Sequence, residues 1–379
     1  MNRHPQFLFS ITDSASVVDE QSELWLRHLP ANRHPGDSHN SPATTGHYFK
    51  AASRFLSADD YGILKTSALG SLGKQIRTDH IETIAVCLVK HGTFYHPSKV
   101  DVVLDRGDSW SFALNLAVSS QGLACVEREY AALERLSKQS YSVPAVYGKG
   151  HFRSDDHIDF SMFAAQWFDD YHEFHIHEKK IIVWNEDKGH YFLSEHECDE
   201  LYHKAAFIMT CCYNVETCEQ IQPWHHAAGD FVVKKGNEGL DVKLITVRQY
   251  TSIFQEPPDD GDERVEAALI FLINLSIRMR LDREDGIGKT VWADDRSVAG
   301  VVRGFWDGLG AKRTSASMAP PIIDRFAAFI VSVPDNELMD FAIMLIQSYH
   351  PESPDLSVIR DHLDDHISLL CEELKKGRV

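Results

Sequence analysis

The sequence predicts an α+β protein in two parts, a β-rich stretch followed by a larger, mainly helical one. Two observations carry this. Three β-rich runs between Ile81 and Val118 follow one another through short connections, the pattern of an antiparallel meander. Beyond Ser194 the apolar residues recur mostly at helical spacing. A chain of 379 residues has room for about two domains. The expected divisions are an N-terminal extension at 1–78, a β-rich part at 79–165 and a helical part at 166–379.

The elements follow in order. Pro30 to His47 is rich in Pro, Gly, Ser, Asn and His and reads as a surface loop, whereas Tyr48 to Ala68 suits short helices. Ile81–Val89, Lys99–Leu104 and Trp110–Val118 are the meander strands, with His91–Pro97 as the first turn. Leu123, Val126, Tyr130 and Leu133 then give a helix one apolar face. Phe160–Phe168 is an apolar strand. Ser194–Cys212 opens with Ser194 and, three residues on, Glu197, a capping-box start. Further helices are expected at Arg264–Leu281, Ser297–Leu309, Pro321–Val333, Glu337–Tyr349 and Ser357–Leu374. One hairpin interrupts them, Phe231–Val247, with Gly-Asn-Glu-Gly between its arms.

Composition narrows the classes of function. Hydrophobic content is 43% and charged content 25%, ordinary for a folded soluble protein. A formal charge of −18 repels phosphate backbones and anionic bilayers, so neither nucleic acid nor a membrane is an expected partner. The longest apolar run, Ala267 to Ile273, falls far short of the roughly 20 residues that span a bilayer. Met1–Ile11 lacks the pattern of a signal peptide. Seven scattered cysteines without a C-x-x-C pair suggest reduced thiols and a cytoplasmic location.

Sheet, long helix, apolar strand, then helices with one embedded hairpin is the order of a two-lobed protein kinase-like fold. Cys125–Leu136 followed by Val143–Gly148 resembles the helix C region of aminoglycoside phosphotransferase and choline kinase relatives. Met162–Phe168 resembles their hinge. Pro223-Trp-His-His-Ala-Ala-Gly-Asp-Phe-Val-Val233 is similar to their catalytic loop, H-G-D-x-H-P-G-N followed by three apolar residues. The resemblance spans about residues 80–255.

Aligning Gly229 and Phe231-Val-Val233 with that pattern puts His225 at the catalytic Asp position and Asp230 at the metal-binding Asn. Thr246 then falls at the metal-chelating Asp, with Arg248 just after. A rival register makes Asp230 the base, at the expense of the first hairpin arm. Asn115 takes the place of the phosphate-gripping lysine, and Glu129, its usual helix partner, is present. The resemblance further implies a phosphate-covering loop at His91–Pro97, with Gly92 in it and Lys90 just before it, and a nucleotide hinge at Gln166 and Trp167. ATP and Mg²⁺ are the implied cofactors, and a nucleotide and a small-molecule substrate the implied partners. Kinase chemistry needs positive charge on phosphate, a metal held by oxygens and a base near the acceptor hydroxyl. Asp230 is the hard-cation ligand with Thr246 assisting, His225 a candidate base and Arg248 a phosphate clamp.

Ordinary readings stand beside these. His225 and His226 can hydrogen-bond buried backbone, Asp230 can tie its loop, Asn115 can be a satisfied strand residue, and Arg248 can pair with Glu129 or a local Asp. Two functions therefore stay open: an atypical ATP-dependent phosphotransferase acting on a small-molecule hydroxyl, or an inactive pseudokinase binding a nucleotide, metabolite or protein partner. A third class, a metal or redox protein, rests on His172, His175 and His177, which read more simply as a His-rich loop. Gly286-Ile-Gly-Lys-Thr290 lacks the first Gly of a P-loop and a preceding strand.

Overall fold

Alternation dictates the first sheet. In the computed structural model, β4 (Ile81–Leu88), β5 (His96–Leu104) and β6 (Ser109–Ala117) bury every second residue, with Ile84, Val86, Val100, Val102, Phe112 and Leu114 inward. Residues 5–12, 17–30, 40–139, 142–186, 188–222, 224, 226–237, 239–252, 254, 261–286, 288–314 and 320–376 are described. The chain divides into two units, Met1–Asp169 and Asp170–Val379.

In the first unit β1 (Gln6–Ile11), β7 (Val146–Arg153) and β8 (Asp159–Gln166) complete a six-stranded sheet in the order β1-β4-β5-β6-β8-β7. Only β1, paired with β4, is parallel to its neighbour. A short helix α1 (Glu23–Leu26) and the pair β2 (His28–Pro30) and β3 (Asn40–Thr44) lead into α2 (Thr45–Leu72). Left-handed backbone at Asp59, Asp60 and Tyr61 divides α2 into two helical stretches. Tyr48, Phe49, Ala52, Leu56 and Leu64 of α2 share one core with Ile84, Val100, Phe112, Phe160 and Met162 of the sheet. The N-terminal extension is thus one layer of the first unit, although its sequence reads as an appendage.

The opposite face carries α3 (Ser120–Leu136). Ser119 caps it by accepting from the Gly122 amide at 3.1 Å. Its inward residues Cys125, Val126, Glu129, Ala132, Leu133 and Leu136 keep the spacing of three and four that makes one helical stripe.

The second unit begins with a small sheet, β9 (Phe174–His177), β10 (Lys180–Val183) and β11 (Tyr191–Phe192), in the order β11-β10-β9. Next come α4 (Glu195–Cys212), β12 (Glu219–Ile221), the hairpin β13 (Phe231–Gly236) and β14 (Gly239–Leu244), and β15 (Tyr250–Ser252). α5 (Gly261–Met279), the pair β16 (Leu281–Arg283) and β17 (Thr290–Trp292), α6 (Arg296–Thr314), α7 (Pro320–Ser332), α8 (Asp335–Gln347) and α9 (Asp355–Lys376) follow. Ser194 and Glu197 form the expected capping box on α4. Gly300, Gly304 and Gly308 recur every fourth residue on α6, and a Cβ at Gly304 would lie 2.1 Å from the His203 carbonyl of α4. The absence of side chains along that stripe lets the two backbones meet.

No helix among the described residues is long and apolar enough to cross a membrane.

Candidate functional site

Asn115 lies on the α3 face of the first sheet, between Pro97 of β5 and Phe163 of β8. Its β6 neighbour on that face, Ala113, stands opposite Lys99 of β5. A lysine thus stands one strand away from Asn115, on the same face. Lys99 Nζ lies 3.1 Å from Asp101 and 5.8 Å from the centre of the Trp167 ring. Ser111 donates to that same carboxylate oxygen, Asp101 Oδ1, at 2.5 Å. The sequence offers Lys90 before the first turn and no lysine in β6. The signal available was the period of two in Lys99-Val-Asp101, which puts both charges on one face.

The remaining predicted residues of this unit are distributed around that face. Glu129 is fully buried on α3. Gln166 ties β8 to Ala145, whose carbonyl accepts from the Gln166 amide at 2.7 Å. Gly92 makes the tight turn of the β4–β5 loop, donating to the Tyr95 carbonyl at 3.1 Å, and Lys90 is exposed just after β4.

In the second unit the loop before β13 places the other candidates. The Ala227 carbonyl accepts from the amides of Asp230 and Phe231, and Gly229 turns the chain at φ +80°, a region open to glycine. β13 then starts at Phe231 and pairs with Leu244 of β14, and the Ile245 amide continues the ladder onto the Asp230 carbonyl. The hairpin keeps its first arm. Asp230 is buried, and Arg248 covers its carboxylate fork to fork, at 3.0 and 2.8 Å. Thr246 is half-buried on the connection between them. His225 lies outside the described residues.

The neighbouring histidine is anchored. His226 Nε2 is 3.3 Å from Asp355 at the start of α9, and Asp355 also receives Arg278 of α5 and Thr290 of β17, each at 3.2 Å. Burial alone would raise the Asp355 pKa. His226, Arg278 and Thr290 outweigh it and hold the group at about 2. The Arg278 guanidinium also covers the Tyr349 ring at 4.1 Å. This network fixes the loop to three elements of the helical unit.

The His-rich segment forms a strand, not the loop that composition suggests. His175 Nδ1 is 3.3 Å from Asp282, and His177 Nδ1 is 2.9 Å from Asp285. Burial pushes the His175 pKa down, but Asp282 and Glu173 lift it to about 9. The two carboxylates thus favour the protonated ring. Gly286, Gly288, Lys289 and Thr290 belong to the β16–β17 connection and the start of β17.

A Mg²⁺ ion needs hard oxygen donors with charge to spare. Both Asp230 oxygens already accept from a guanidinium, Thr246 adds at most a neutral hydroxyl, and a second cation there would meet the Arg248 charge. As arranged, these residues do not fit the ion. Among the described residues no group of three or more His, Cys, Asp or Glu has metal-holding geometry.

No family model matches the chain, and no curated protein matches it. Among solved structures, the chain is similar to one described as WaaP in complex with acyl carrier protein. The identity is 10% and the TM-score 0.28, over 62% of this chain and 83% of that one. A likeness at that level decides neither fold family nor activity.

Proposed function

We propose that this chain is a kinase-like pseudokinase, holding a nucleotide or another phosphate-bearing small molecule without a divalent metal. The kinase-like part of the reading is supported by the run β4-β5-β6-β8-β7 with α3 inserted between β6 and β7. The buried Glu129 on that helix and the β13–β14 hairpin opening at Asp230 add to it. The observation that carries the second part is the Arg248–Asp230 fork. It sets a guanidinium on Asp230, one of the two positions to which the resemblance assigns the metal. A guanidinium carries five N–H donors, of which the fork with Asp230 uses two, and charge-assisted bonds from the others to phosphate would supply what a metal ion otherwise gives. The carboxylate beneath holds that charge in place.

Thermal shift with ATP, in EDTA and in Mg²⁺, tests the reading. Stabilisation of equal size under both conditions is expected, retained in Asp230→Asn and lost in Asp230→Asn/Arg248→Gln, which removes both charges together. Stabilisation that requires Mg²⁺ and disappears in Asp230→Asn would instead return the chain to ATP-dependent phosphoryl transfer onto a small-molecule hydroxyl. No response to ATP, ADP or inorganic pyrophosphate would overturn the phosphate-binding reading altogether.

A further inference from the structure

The edge of the first sheet carries a cavity that none of the chemistry above uses. It has a volume of about 380 Å³ and is lined by Phe7 and Phe9 of β1, Val17 to Glu20, Trp25 of α1, and Lys50 and Ser53 of α2. Its lining is mostly apolar, with one polar rim.

The aromatic wall is built, not incidental. Phe9 stacks on the fully buried Phe49 with centroids 4.7 Å apart and planes 22° apart. Trp25 lies 6.0 Å from Phe9 and 6.2 Å from Phe49. The indole is seated directly on Gly46, where a Cβ would stand 2.3 Å from Trp25 Nε1. The rings are therefore set before any ligand arrives, which lowers the entropic cost of binding.

The rim gives the sign of the ligand. It offers two carboxylates, Asp19 and Glu20, against one ammonium, Lys50. Lys50 Nζ is 3.1 Å from Glu20 and 5.8 Å from the Trp25 ring centre, so the site already receives a cation from within the chain. That pair is largely solvent-exposed on both sides, 60% and 70%, and an exposed ion pair is readily displaced. Aromatic faces attract a cation, most strongly one that carries little hydration. The volume lies in the range of small-molecule pockets.

We propose that this groove binds a small organic cation, with its apolar body against Phe7, Phe9 and Trp25 and its charged head at Asp19 and Glu20. The site lies wholly in the first unit and stands independently of the role given to Arg248.

Titration with benzyltrimethylammonium, followed by protein NMR shifts on the whole chain, tests it, with benzyl alcohol as neutral control and benzenesulfonate as anionic control. Saturable shifts at Phe7, Phe9 and Trp25 are expected for the cation, with benzyl alcohol at least tenfold weaker. Lys50→Met removes the internal competitor and should tighten binding roughly threefold. Asp19→Asn/Glu20→Gln changes only exposed side chains, so folding is kept, and it should weaken the cation at least fivefold while leaving benzyl alcohol unchanged. Trp25→Leu should abolish binding. Preferred binding of benzenesulfonate that is lost in Lys50→Met would overturn the proposal in favour of an anion site. Equal binding of cation and alcohol, or no saturable shift, would overturn it as well.

Discussion

His226 and Asp355 are 129 residues apart in sequence, yet the imidazole of one lies 3.3 Å from the carboxylate of the other. The contact makes the start of α9 part of the support beneath the loop that precedes β13. Asp355 also holds the buried Arg278, so the two partners are unequal. Asp355→Asn leaves a buried guanidinium without its counter-charge and should cost about 3 kcal/mol, whereas His226→Ala should cost only about 1 kcal/mol. Urea denaturation of both variants checks the ratio, and equal losses would contradict it.

The Arg248–Asp230 fork gives a second expectation. Removing only the guanidinium strands a carboxylate that is 3% exposed, so Arg248→Gln should destabilise by roughly 3 kcal/mol. Asp230→Asn/Arg248→Gln should recover much of that loss, because no unpaired charge remains. A double-mutant cycle by thermal denaturation measures the coupling. Additive losses would show the two groups acting separately.

Two buried histidines set the acid side of stability. Burial, with the Arg280 charge in second place, pushes the His366 pKa down to about 3. Burial, with His91 adding to it, pushes His96 to about 4. In the unfolded chain both titrate near the free value of about 6.5. The stability they contribute is full above that value and is lost as pH falls toward the folded pKa. Between pH 6.5 and pH 5 each should remove about 2 kcal/mol. Denaturation curves at the two pH values, with His366→Phe for comparison, check this. Imidazole resonances that titrate near 6.5 in the native state would contradict it.

His175 works in the opposite direction. Its folded pKa is raised to about 9, so its contribution is complete below about 6.5 and is lost as pH rises through 9. The ring lies 4.3 Å from the Trp184 ring, which offers a reporter. The fluorescence difference between the wild type and Trp184→Phe should change with a midpoint near 9, and Asp282→Asn should move that midpoint downward. A midpoint that stayed in place in Asp282→Asn would remove Asp282 as the cause.

Much of the fold is written in local pattern. The period of two in β4, β5 and β6, the stripe on α3 and the capping box at Ser194 are each set within a few residues, and each is found where the sequence puts it. What escaped depends on distant partners. His172 to His177 looks like a solvated loop until β10 pairs with it, although Ile181-Ile-Val183 is a β-branched signal for that partner. The extension shows no single clean helical period because left-handed residues at 59–61 interrupt α2, and its burial comes from the sheet. At the candidate site, pairing of Arg248 with Glu129 or a local Asp is one of the sequence's readings, and the partner is the local Asp230. The choice between those partners is a matter of rotamers and distances, which spacing does not encode.

The sheet of the first unit is one strand thick between α2 and the face that bears Lys99. Ser98 and Val100, the residues flanking Lys99, are fully buried, and Tyr48 of α2 bonds Ser98 at 2.6 Å. Side chains on the two sides thus share a single backbone ribbon. Any repacking around Tyr48 tilts that ribbon and re-aims the ammonium on its far side. The segment before residue 73 is in this sense the bedplate of the first unit, and trimming it away would loosen the aim of Lys99 without removing one atom from that face.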